Sequence, residues 1–336
     1  MTFLWRPASA TGLGPLPGTE PQDAAKLVLD ELPSFPHLPE LPARGGGADA
    51  TARTAALLVE LHVELVVGRW RLVPRPTVEE REARELLARD VDAFELTARG
   101  YAGPVKVQLL GPWTLARQLE LPGGEWSLSD LAAVADVAES LTEGLAAHVA
   151  ELRQRVPGVS VVVAELDEAG LAQVVAGDVP TASGWARYPA VDQQIARDVL
   201  AGVLERVGGG SGVRLRGADA PVDLARRAGA RFLSLAAGDL RPELEDQLGE
   251  ALEGGLGLLA GLVPPADNGR TELAEMARPV RRLWSRLGLA PTLLPEAVVV
   301  TPAGALDGVA PEQATAVLRR CVALAGWLEE EYRTGG

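Results

Sequence analysis

The sequence predicts a (β/α)8 barrel, a TIM barrel within the α/β class, forming a single domain over residues 1–336. Three observations point there. About eight strand-like runs alternate with helical runs, each strand followed by a helix, apart from an extra hairpin after the second barrel strand. The connections are short and include no long linker, which favours one domain over two. Near the carboxyl end stands Ala297-Val298-Val299-Val300-Thr301-Pro302-Ala303-Gly304-Ala305-Leu306, whose β-branched run reads as a strand buried on both faces and ended by Pro-Ala-Gly. A doubly wound open sheet shares this alternation and is the alternative, since strand order is invisible in sequence.

Taken in order, residues 8–14 form the first expected strand, closed by Pro15-Leu16-Pro17-Gly18. Thr19 is the expected N-cap of a helix reaching residue 32, with Glu20-Pro21 in its first turn. Residues 35–41 read as extended because their prolines cannot sit in a helix interior. The glycine-rich loop Arg44-Gly45-Gly46-Gly47 leads to a helix over residues 49–58. Residues 61–73 partly alternate and contain Gly68-Arg69-Trp70-Arg71, the hairpin outside the main repeat. Thr77 and Glu80, at capping-box spacing, open a charged amphipathic helix to residue 99. Regular alternation follows, with strands over 105–110, 160–166, 212–216, 231–236, 256–263 and 298–301. The intervening and final helices are expected over 129–154, 190–207, 220–228, 242–254, 271–287 and 311–332.

Composition excludes several functional classes. Hydrophobic residues make up 47% of the chain, ample for a core, while aromatics are only 4%, so aliphatic packing must carry it. With 46 acidic and 32 basic residues the formal charge is -14, which argues against nonspecific nucleic-acid binding. The arginines are dispersed, and Lys26 and Lys106 are the only lysines. A single cysteine, Cys321, excludes an intrachain disulfide and any multi-cysteine metal site. No segment from Met1 onward reads as a signal peptide, and no run reaches the roughly 20 apolar residues of a membrane span. The expectation is a cytoplasmic protein with neither membrane nor nucleic acid as partner.

In a barrel, functional side chains stand at the carboxyl ends of the strands. Those ends collect His37 and Glu40, Gly111-Pro112-Trp113, Asp167-Glu168, Arg214 and Arg216, Ala236 and Thr301. Three carboxylates and two guanidinium groups would converge on one face. Arg214 and Arg216 are two residues apart and project to the same side of their strand. They read equally as salt-bridge partners of Glu40 or Asp167 and as an anion site, and the two readings are compatible. Arg44 reads either as a carboxylate clamp or as a surface residue. His37 reads as structural, His62 and His148 lack a ligand partner at useful spacing, and Cys321 sits among core positions. The glycine runs 45–47 and 208–210 lack the context of a phosphate loop and read as flexible connections. No Ser-His-Asp set is recognisable, and no catalytic residue is assigned.

Five segments fall in one order: Thr11-Gly12-Leu13-Gly14-Pro15-Leu16-Pro17-Gly18-Thr19, His37-Leu38-Pro39-Glu40-Leu41-Pro42-Ala43-Arg44, Gly111-Pro112-Trp113-Thr114, Leu166-Asp167-Glu168, and Val300-Thr301-Pro302-Ala303-Gly304-Ala305-Leu306. Together they resemble the catalytic barrel of cobalamin-independent methionine synthase and its short single-barrel bacterial relatives, in the same barrel group as uroporphyrinogen decarboxylase. The resemblance spans nearly the whole chain. It implies methyl transfer from a folate donor to the thiol of homocysteine, activated by zinc on His, Cys and acidic ligands. It also implies that Glu40 and Asp167, with Glu168 beside it, hold the ammonium group of the amino acid.

The metal ligands of that family are missing. Its His-x-Cys corresponds to Arg214-Leu215-Arg216, its acidic ligand falls near Ala236, its last cysteine corresponds to Gly304, and Pro15 replaces an expected serine. The expectation is therefore a barrel of methyltransferase descent without its zinc, with Glu40, Asp167, Glu168, Arg214 and Arg216 binding a small amino-acid-like or carboxylate ligand. The alternatives are a non-catalytic ligand- or partner-binding pseudoenzyme, and a metal-free, decarboxylase-like enzyme acting on an anionic substrate through Arg214 and Arg216.

Overall fold

The structure, a computed structural model, describes residues 3–207 and 210–333. Gly208 and Gly209, part of the expected flexible connection, lie outside the described residues. The strands are β1 (His62–Val66), β2 (Arg69–Val73), β3 (Gly103–Leu110), β4 (Leu119–Glu120), β5 (Val159–Asp167), β6 (Ser211–Arg214), β7 (Phe232–Ala236), β8 (Gly257–Val263) and β9 (Val298–Pro302). Six of them form one curled parallel sheet in the order β3-β5-β6-β7-β8-β9. Sequential parallel neighbours joined by helical crossovers are the pattern that the alternation predicts.

Two extended segments flank this sheet. Ala10 makes a parallel bridge to Val300 of β9, and His37 makes one to Lys106 of β3. Pro15 and Glu40 then bridge the two segments to each other. Residues 8–14 are thus an extended segment with isolated bridges in place of the expected strand. Pro15 has no N–H to offer a ladder, and Gly14 turns the chain at φ +118°. Pro36 and Pro39 thin the second segment in the same way.

The hairpin forms as antiparallel β1 and β2 around Val67-Gly68, both at positive φ, as a two-residue turn of this twist requires. β4 joins it in parallel to β2, giving a three-stranded sheet that the sequence reading lacks. Thr77 caps helix Val78–Thr97 by accepting the Glu80 N–H at 3.1 Å. The reciprocal half of the capping box is absent, because the Glu80 carboxylate turns to His62 and Arg84.

Other boundaries differ for physical reasons. Glu20, not Thr19, is the N-cap of helix Pro21–Glu31. The helix expected over 271–287 is split into Leu273–Met276 and Arg278–Leu287, with Pro279 at the restart. Short helices Pro112–Ala116 and Leu171–Ala176 add to the expected set. β6 ends at Arg214, so Arg216 lies past the strand, although Leu215 still donates to Ser234 O at 3.0 Å.

The core has two parts. The larger packs helices against the outside of the sheet. The smaller gathers Trp5, Phe35, Val163, Phe232, Leu259 and Val299. Leu259 and Val299 are register partners, and Phe232 stands two residues before Ser234, the partner of Leu259, on the same face, so this cluster fills the interior of the curled sheet. Trp5 stacks on Phe35 at 5.9 Å and meets Phe232 edge-on at 5.8 Å. Gly257 makes room for the Trp5 ring, which a Cβ there would overlap. Among the described residues, no helix is long and apolar enough to cross a membrane.

Candidate ligand site

Above this aromatic layer the interior turns polar. β3 carries Lys106 and Gln108 two residues apart, and β5 carries Glu165 and Asp167 at the same spacing. Register places Gln108 beside Glu165, and Asp167 beside Arg214 of β6. Alternation therefore delivers all five side chains to one face. Lys106 is fully buried, forms an ion pair with Glu165 and lies 3.2 Å from Gln108 Oε1. Gln108 Nε2 donates to Glu40 Oε1 and to Leu38 O, both at 2.8 Å. An unbroken polar chain thus runs from Glu165 to Glu40.

The electrostatics differ at the two ends of this chain. Burial pushes the Glu40 carboxyl above its ordinary value, only partly countered by Arg53, Gln108 and Lys106. Burial also pushes Glu165 up, but Lys106, Arg214 and Ser234 more than offset it and hold the group below its ordinary value. Glu165 is ionised where Glu40 resists ionisation.

The strand ends surround a cavity of about 170 Å3. Glu40, Arg53, Glu165, Asp167, Arg214 and Arg216 line its polar side, and Leu13, Pro15 and Ala305 contribute apolar surface. Asp167 Oδ2 stands 3.6 Å from Arg214 Nη1 and 3.4 Å from Arg216 Nη2, while its Oδ1 accepts the Ala169 N–H at 3.0 Å. Arg53 is anchored by Asp90, which it shares with Arg44 at 2.7 Å from the latter. Arg44 is therefore a buried structural partner and not a surface residue.

Four of the five sequence-predicted site residues, Glu40, Asp167, Arg214 and Arg216, meet at this cavity. Glu168 does not line it. Its carboxylate caps helix Pro112–Ala116, accepting the N–H groups of Trp113 at 2.9 Å and Thr114 at 2.8 Å and the Thr114 hydroxyl at 2.7 Å. Burial nevertheless raises Glu168 to about 7, against the pull of these donors. Gly111 is required beside it, because a Cβ there would overlap the carboxylate. Neighbouring residues Asp167, the last of β5, and Glu168, just past it, thus serve different ends.

The donors present do not fit zinc. No thiol or imidazole lines the cavity, and guanidinium groups stand at Arg214 and Arg216. Cys321 is fully buried in helix Pro311–Arg333, where burial pushes its thiol far up. His37 Nδ1 accepts the Gly12 N–H at 3.2 Å, and burial, then Lys106, lower the ring to about 3. His62 pairs with Glu80 on the hairpin, and His148 lies buried within helix Leu131–Arg155. Among the described residues, no group of three or more His, Cys, Asp or Glu is placed to hold a metal ion.

Sequence reasoning missed Lys106, Gln108, Glu165 and Arg53. The signal for the first three is polar residues at alternate positions of otherwise aliphatic strands, Val105-Lys106-Val107-Gln108 and Ala164-Glu165-Leu166-Asp167. Arg53, within helix Ala50–Ala55, carries no such signal.

No protein-family profile matches the sequence, and no curated protein matches it. Among solved structures, the chain is similar to a B12-independent methionine synthase from Shewanella sp. W3-18-1, solved in complex with selenomethionine. The TM-score is 0.62 at 12% identity, covering 98% of this chain and 99% of that one. Two others overlap less. These are a 3-keto-D-glucoside 4-epimerase from E. coli at TM-score 0.35 and 13% identity, covering 73% of this chain and 86% of that one, and a morphinone reductase at 0.37 and 14%, covering 90% and 80%. At such identity this first likeness shows a shared, TIM-barrel-like fold.

Proposed function

We propose that the chain is a methionine-synthase-like barrel of methyltransferase descent whose mouth binds a small amino-acid-like or carboxylate ligand without zinc. In this reading the two extended segments are the first two strands of a full (β/α)8 barrel, the hairpin is an insertion after the second, and residues 1–336 are one domain. The ring of bridges Ala10–Val300, Pro15–Glu40 and His37–Lys106 supports the closure. The protein is cytoplasmic, with a small molecule and no nucleic acid or membrane as its partner.

One observation carries the reading: Arg214 and Arg216 both reach Asp167 inside a cavity that also holds Glu40. A guanidinium pair there keeps a polar, ligand-sized site while removing the softer donors that zinc-thiolate chemistry needs. The same pair supports a second reading, a metal-free enzyme that acts on a carboxylate substrate in the manner of a decarboxylase.

A thermal-shift screen with homocysteine, methionine, folates and small carboxylates tests the first reading. A ligand of the site raises the unfolding midpoint by mass action, and silence from every compound would defeat it. Rescue of a methionine auxotroph would establish methyl transfer over a non-catalytic role.

A further inference from the structure

The mouth differs from the rest of the molecule in charge. The chain as a whole carries -14. At the cavity wall Arg53, Arg214 and Arg216 balance Glu40, Glu165 and Asp167, and the ion-pair partners behind them, Arg44 and Lys106 against Asp90, add an excess of one positive charge when every group is ionised. Beyond them Arg117 lies against Glu168 and leaves that excess unchanged. Protonation of Glu40, which burial favours, would increase it.

Two of the three acids that line the cavity are already engaged on the side of its mouth. Asp167 is shared by two guanidinium groups and a backbone N–H. Glu40 accepts the Gln108 amide at 2.8 Å, with Arg53 acting on it as well. The cations are less well satisfied. The Arg214 side chain is 15% exposed and its ion pair is long, at 3.6 Å; Arg216, 54% exposed, has an ion pair of 3.4 Å. A guanidinium offers five N–H donors, so both retain capacity for a bidentate carboxylate.

One buried acceptor is also left over. Glu165 is 1% exposed and lines the cavity; its Oε2 meets Lys106, and its Oε1 has no partner at full hydrogen-bond geometry, with the Ser234 hydroxyl the nearby donor. A buried carboxylate oxygen in that state is costly, and a neutral donor such as a hydroxyl satisfies it without adding charge.

We propose that the cavity binds a small hydroxycarboxylate monoanion, its carboxylate on Arg214 and Arg216, in preference to a zwitterionic amino acid. This rests on the reading of the mouth as a ligand site and narrows its ligand class. The monoanion cancels the excess charge, whereas a zwitterion leaves it in place and brings a further cation among the guanidinium groups.

Matched pairs that differ only in the α-substituent test it: lactate against alanine, and methionine against its 2-hydroxy analogue, by calorimetric titration and thermal shift at pH 7. The hydroxy acid of at least one pair is expected to bind about tenfold or more tightly than its amino acid, and Arg216→Gln to weaken that binding by about tenfold, the scale of one charge-assisted contact. Arg216 is largely exposed, so an unchanged midpoint without ligand shows that the variant folds; Arg216→Lys is expected to bind with intermediate affinity, since it keeps the charge and loses the fork. Tighter binding of the amino acids would overturn the proposal and leave the ligand site standing. Binding of the hydroxy acids that ignores Arg216→Gln would also overturn it. No binding by any of the four compounds would overturn this proposal, and silence from the whole screen above would remove the ligand site with it.

Discussion

Lys106 on β3 and Glu165 on β5 form an ion pair, 0% and 1% exposed, between the aromatic layer and the cavity floor. Such a pair contributes little relative to a well-packed apolar replacement, but losing one partner strands a charge in a dry interior. Lys106→Met is therefore expected to destabilise the fold by about 3–5 kcal/mol. Lys106→Met combined with Glu165→Leu should recover much of that loss. Urea midpoints of the single and double variants check this; a single variant as stable as the parent would show that the pair does not form.

Gly12 faces the imidazole of His37, which accepts its N–H at 3.2 Å. A Cβ at position 12 would overlap the ring, and the ring is fully buried with nowhere to move. Gly12→Ala is expected to cost about 2–3 kcal/mol by overpacking. Gly123, with nothing near its would-be Cβ, should tolerate alanine with little change. Equal midpoint shifts for the two variants would contradict the close contact.

Much of the architecture was legible in the sequence, and the reason is periodicity. Strands such as Gly257–Val263 and Val298–Pro302 are buried on both faces, so their apolar runs are uninterrupted and easily read. Residues 8–14 read as a strand on composition, yet Gly12, Gly14 and Pro15 leave only isolated bridges. β4 is two residues long, and its pairing with β2 depends on a contact distant in sequence. Glu40, Asp167, Arg214 and Arg216 were legible because they stand at strand ends. Lys106 was not, because a lone lysine in an aliphatic run ordinarily signals an exposed edge. Only the neighbouring strand, with Glu165, makes its burial intelligible. Glu168 illustrates the converse: its place in a motif-like Leu166-Asp167-Glu168 run suggests a ligand contact, while just past the end of β5 its carboxylate turns to cap helix Pro112–Ala116.

Two buried histidines set a pH dependence. His37 is lowered to about 3 and His148 to about 4 from an ordinary 6.5, chiefly by burial. Below pH 6.5 the unfolded chain binds protons that the folded chain refuses. Their contribution is thus fully present above pH 6.5 and is lost as pH falls toward 4 and then 3. Glu168, raised to about 7, runs the other way: its contribution is present below 4.5 and lost as pH rises through 7. His148→Gln should reduce the stability lost between pH 7 and 4 by up to about 3 kcal/mol. Urea unfolding at several pH values checks this, and a variant that follows the parent's profile would contradict it.

Guanidinium groups, with no thiol or imidazole beside them, line the cavity at the end of β6. The most direct measurement is zinc stoichiometry by elemental analysis, after incubation of the purified chain with excess zinc and desalting. A site without thiolate or imidazole donors should retain zinc far below stoichiometric amounts, with no change in the unfolding midpoint. One zinc per chain, retained through desalting and stabilising the fold, would contradict it.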